Sequence, residues 1–161
     1  MSILSVEDYL ASSHIYIEPR ALKEVKIYIK LLRQEFKEPT YSVKEIRAIS
    51  MQILAWLCYG ARITECKFRL QRRYSSESMG YCCREDGRIV MNLGNHKYHN
   101  KPKMNSFMEY LDTLVHEWVH YYCYQVYGEI EFEPDESNED YDKHHDKMFY
   151  KKVERLLKRI S

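Results

Sequence analysis

The spacing of apolar residues divides the chain into helical and strand-like stretches. From Pro19 to Phe36, Leu22, Val25, Ile29, Leu32 and Phe36 recur every three or four positions, which predicts a helix with one buried stripe. Pro19 suits the first turn of that helix, and Pro39 ends the stretch. Ser42 and Glu45 form a capping box ahead of a second stripe, Val43, Ile46, Ile49, Ile53, Leu54 and Leu57, which Gly60 closes. Residues 62–70 alternate as a strand does, and residues 79–93 read as a hairpin around Asp86-Gly87, a strong turn signal.

A third helical stripe runs through Phe107, Leu111, Leu114, Val115, Trp118, Val119, Tyr122 and Val126. Ser106 and Glu109 form the S-x-x-E box before it, and Gly128 supplies the stop. The last stripe, Met148, Phe149, Val153, Leu156, Leu157 and Ile160, predicts a C-terminal amphipathic helix over 143–160.

The third helix carries the chemistry. Residues 116–120 read HEWVH. Positions i and i+4 lie on one helical face, so His116 and His120 can hold one metal ion between two imidazoles. Glu117 sits about 100° around the helix, where its carboxylate can reach a water on that ion. Two neutral nitrogen ligands, a carboxylate base and an open position make a hydrolytic zinc site. Chance occurrences of the pattern lie on solvated helices with polar neighbours. Here Leu114, Val115, Trp118 and Val119 surround it, and a polar triplet in an apolar setting needs partners.

A third protein ligand is required. The extended form HExxHxxGxxH fails, because Cys123 stands in the glycine slot and Val126 in the last histidine slot. Within residues 142–160, counting back by three and four from Met148 and Phe149 reaches His145, on the core-facing stripe. His144 is rotated toward Lys147, Lys151 and Arg155, the polar side. Asp112, four residues before His116, is a candidate to orient a ligand imidazole.

HEWVH followed by His145-x-x-x-Phe149 at the start of an amphipathic helix resembles the SprT-like zinc metallopeptidases, the group that includes Spartan. MGYCCREDGRIVMNL at residues 79–93 resembles that family's hairpin, and YLDTLVHEWVHYY its catalytic-helix start. The resemblance covers residues 62–155. It departs at Asp146, where the family usually has glycine, in the length of the stretch between His120 and His145, and in lacking a zinc ribbon. A histidine-aspartate pair there is reminiscent of the related WLM group.

The resemblance implies an α+β, minimal zincin-like domain: N-terminal helices over 1–60, a small antiparallel sheet over 62–93, a central HExxH helix over 105–127 and a C-terminal helix. It implies one Zn²⁺ per chain on His116, His120 and His145, with Glu117 as general base for peptide-bond hydrolysis in intracellular proteins. A protein or peptide is the implied substrate, and DNA or a DNA-bound protein is an admissible partner. Tyr121, Tyr141 and Tyr150 are candidates for stabilising the oxyanion. Two other readings stay open: an ImmA/IrrE-type protease cutting a repressor, and a non-catalytic metal-binding adaptor recruiting a partner or nucleic acid.

Composition narrows the setting. At 161 residues, 45% hydrophobic and 14% aromatic, the chain is long and apolar enough for one domain with a sizeable core. No apolar run approaches the length of a membrane span, and the N-terminus lacks a secretory signal's pattern. Five cysteines, without a C-x-x-C pair, argue against a disulfide framework or a zinc knuckle, fit a reducing cytoplasm, and read as small buried hydrophobes.

Net charge is +1, so the balance decides nothing about nucleic acid, but its distribution is uneven. Residues 129–142 hold eight acids and no Lys or Arg, which predicts a solvated acidic loop between the zinc-binding helices; a gate over the cleft or a selector for basic substrates is the functional alternative. Lys67, Arg69, Arg72 and Arg73, with Tyr74, are a basic cluster suited either to phosphates or to protecting an edge strand. His96 and His99 are a weaker candidate pair for a second metal.

Overall fold

The computed structural model describes residues 13–38, 41–71, 79–83, 85–93, 104–127 and 147–161. Among them are four helices and a three-stranded sheet, an α+β arrangement. The helices are α1 (Pro19–Lys37), α2 (Val43–Ala61), α3 (Met104–Tyr127) and α4 (Lys147–Ile160). The strands are β1 (Phe68–Gln71), β2 (Gly80–Cys82) and β3 (Ile89–Asn92). No described helix is long and apolar enough to cross a membrane.

The two N-terminal helices pack along each other, and α3 touches α1, α4, β2 and β3. Val25, Ile29, Leu32 and Phe36 of α1 are buried as the spacing predicts. Ser42 caps α2 by accepting from the Glu45 N–H at 3.2 Å, but the return bond comes from elsewhere: the Glu35 carboxylate takes the Ser42 N–H at 2.7 Å. The cap therefore also ties α1 to α2. Gly60 does not close α2. It is buried within the helix, its carbonyl accepts the Glu18 N–H, and the left-handed cap is Arg62 at φ 59°.

The sheet order is β1-β3-β2. The hairpin pairs β2 with β3 antiparallel, in the register Gly80 to Met91 and Cys82 to Ile89. Its turn has Gly87 at φ 70°, and Asp86 accepts the Arg88 N–H at 3.0 Å. The expected all-antiparallel sheet is corrected by β1, which runs parallel to β3 from Phe68–Ile89 to Gln71–Asn92. With β2 on one side of β3, β1 fills the other, and every residue of β3 is buried. The strand expected over 62–70 shrinks to Phe68–Gln71, with the Lys67 carbonyl accepting the Ile89 N–H just ahead of it.

The helix α3 starts at Met104, which places Ser106 within its first turn and not ahead of it. Its buried face is wider than the predicted stripe, taking in Tyr110, Tyr121 and Cys123, whereas Val126 is 42% exposed. In α4, Phe149, Val153, Leu156 and Ile160 are buried, joined by Lys152, which the pattern did not indicate. The buried residues of all four helices and of β3 form one core. Among the cysteines, Cys58 and Cys123 are buried while Cys66, Cys82 and Cys83 are half-buried, and all five are free thiols.

Candidate metal centre

The middle of α3 presents HEWVH as two layers. Trp118 and Val119 are fully buried, and they fix the rotation of the helix against the core. His116 and His120 are partly exposed, on the face that meets α4, with ring centroids 4.9 Å apart at 74°. Two imidazoles on one tetrahedral ion, with metal–nitrogen bonds of about 2.0–2.1 Å, put their centroids about 5 Å apart. The pair therefore fits a shared zinc ion.

The first turn of α4 holds both rings. Phe149 stacks on His120 at 4.3 Å and 26°, and meets His116 edge-on at 4.9 Å and 74°. Tyr150, 53% exposed, lies 6.2 Å from His116. The sequence marked Phe149 as part of a motif; its contact with both imidazoles is legible only once α3 and α4 are packed.

Glu117 is 8% exposed. Burial pushes its carboxyl up to about 7, while a hydrogen bond from the Cys82 backbone N–H pulls the other way. That donor follows from the register of β2. The ladder bonds at Cys83–Arg88 and Met79–Asn92 fix the alternation, so the Cys82 N–H points away from β3, toward the open side of the strand. Gly80 lets β2 approach α3: a Cβ there would sit 3.2 Å from Thr113 Cγ2 and 2.9 Å from the Val90 carbonyl. A main-chain donor on a short strand leaves no mark in the sequence, so nothing there identified it as a partner of Glu117.

The other candidates separate. Asp112 is exposed, one turn before His116, with its carboxyl pushed up by partial burial. Tyr121 is buried and donates its hydroxyl to the Thr64 carbonyl, which leaves Tyr150 as the described candidate tyrosine beside the imidazoles. Lys67 and Arg69 are exposed, at and just before β1. Tyr141, His144, His145, the acidic run 129–142, Arg72, Arg73, Tyr74, His96, His99 and Gly128 lie outside the described residues. Among the described residues no group of three or more His, Cys, Asp or Glu could hold a metal ion. No protein family, curated relative or solved structure matches the chain.

Proposed function

We propose that this chain is a zinc-dependent endopeptidase of the SprT-like, zincin type, with His116, His120 and His145 as metal ligands and Glu117 as general base. The observation that carries the reading is a buried carboxyl, 8% exposed, next in the chain to one of two imidazoles whose ring centroids lie 4.9 Å apart. A solvated surface helix would leave Glu117 in the ordinary carboxylate range. A purely structural site has no use for such a group.

A zinc ion held there supplies Lewis-acid activation of a water and of the scissile carbonyl. Glu117 takes the water proton and returns it to the leaving amine. Its position near neutrality suits both transfers. The Cys82 N–H favours the ionised form of that carboxyl. Phe149 keeps the two imidazoles in place from α4.

The test is Glu117→Gln. We expect one zinc per chain in both proteins and a loss of about 10²- to 10⁴-fold in cleavage of an unfolded protein substrate. A Gln variant that still cleaves would sink the mechanism, and a wild-type chain that binds no zinc would sink the metal reading.

A further inference from the structure

The indole of Trp118, inside HEWVH, donates to Cys58 Sγ at 3.3 Å, and Cys58 Sγ lies 4.0 Å from Cys66 Sγ. Cys58 belongs to the last turn of α2. Cys66 lies in the extended segment that leads to β1. The chain brings them together through the left-handed cap at Arg62, after which the Ile63 N–H returns to the Cys58 carbonyl. The Tyr121 hydroxyl holds the same segment at Thr64. Two residues of α3, Trp118 and Tyr121, thus hold the end of α2 and the segment after it, which together carry the thiol pair.

We propose that Cys58 and Cys66 are a peroxide-oxidisable dithiol whose disulfide takes the hydrogen-bond acceptor away from Trp118. The Trp118 N–H and the neighbouring Cys66 thiol favour the Cys58 thiolate against its burial, and the Cys66 thiol is pushed up. Burial holds the Cys82 thiol up at about 12.

The chemistry closes with hydrogen peroxide as the oxidant. The Cys58 thiolate attacks one peroxide oxygen, the O–O bond breaks, and the departing hydroxide takes up the proton released when Cys58 ionised. Cys66 then attacks the sulfur of the Cys58 sulfenic acid; the S–O bond breaks and leaves with the Cys66 proton as a second water. Two thiols lose two electrons and one peroxide becomes two waters. The sulfurs close by about 2 Å to reach bonding distance, and the Cys58 Sγ beneath Trp118 becomes a disulfide sulfur. None of this rests on the metal reading.

The experiment treats the full chain with hydrogen peroxide, alkylates the remaining thiols and maps the peptides by mass. Free thiols are expected to fall from five to three, with Cys58 linked to Cys66 and dithiothreitol restoring both. In a Trp56→Phe background, where Trp118 is the remaining tryptophan, emission should change on oxidation and recover on reduction. In Cys66→Ser, dimedone should trap a sulfenic acid on Cys58. A linked peptide joining any other pair, or none, overturns the proposal, and wild-type mapping decides this without a variant. A Cys58–Cys66 disulfide with unchanged Trp118 emission overturns its coupling to α3.

Discussion

The backbone N–H of Cys82 faces the buried carboxyl of Glu117 and draws it down against the effect of burial, so the outer side of β2 and the middle of α3 meet at a single acid. With only that donor opposing burial, Glu117 keeps its proton to a much higher pH in the folded chain than in the unfolded one.

The consequence for stability can be signed. Below the ordinary value of 4.5, both states are protonated and burial of Glu117 carries no charge penalty. Between 4.5 and about 7 the unfolded chain ionises while the folded one does not, and stability falls as pH rises. Above that window the loss is complete, up to about 3 kcal/mol. Urea melts of the metal-free protein at about pH 5 and about pH 8 should show Glu117→Gln gaining on wild type at the higher pH. Parallel profiles for the two proteins would mean that Glu117 is solvated.

A buried pair joins α2 to α3 at Ser50 and Tyr110, with oxygens 2.7 Å apart. The Ser50 proton goes to the Ile46 carbonyl, so Tyr110 is the donor between them. The two deletions therefore differ. Tyr110→Phe removes the donor and leaves Ser50 bonded, at about 0.5–1.5 kcal/mol. Ser50→Ala strands a hydroxyl that is 0% exposed, at about 1–3 kcal/mol. Denaturant midpoints in the reverse order would overturn this direction of donation.

Gly80→Ala should strain the pairing of β2 with β3. The added Cβ would come within 2.7 Å of Met91 Sδ, a movable atom, but also within 2.9 Å of the Val90 carbonyl, which is backbone. Overpacking at such a site costs about 1–3 kcal/mol. The Glu117 carboxyl should lose its Cys82 bond as well, so the pH dependence above should change in Gly80→Ala. A variant as stable as wild type, with the same profile, would show that β2 does not need this approach.

The helices were legible because each has to bury one stripe, and Val25, Ile29, Leu32 and Phe36 read directly as such. Boundaries that depend on distant partners were less so. Gly60 looked like a stop, yet the cap formed at Arg62, where the chain must turn left-handed toward Cys66. Val126 kept the period of α3 but lies 42% exposed. The direction of β1 was hidden too, since alternation marks a strand without naming its neighbour. At the site, His116, Glu117 and His120 were legible from spacing. The Cys82 donor was not, because a backbone N–H has no residue type.

His145 and His144 make the next test, since His145 stands four positions before Phe149, whose ring meets both imidazoles. His145→Ala should lower zinc affinity by orders of magnitude and His144→Ala should leave it within a few-fold, as read by competition with a chromogenic chelator. The opposite order would move the third ligand to His144. Equal retention in both would remove this segment from the site.

Phe149 tests whether α4 orients the metal pair or merely covers it. Its flat ring stacks on His120 and touches His116, a contact no branched side chain reproduces. Phe149→Leu keeps apolar bulk in the core, at about 1.5 kcal/mol or less in stability. It frees the imidazoles to turn, and outer partners that fix ligand orientation are worth about 10- to 100-fold in metal affinity. Val153→Ala is the control. Val153 is also a buried residue of α4, one turn beyond Phe149, and its truncation should cost stability with no change in zinc affinity. If both variants lose affinity in proportion to their stability, α4 acts on the site only through packing. A loss confined to Phe149→Leu shows that its ring sets the geometry of His116 and His120.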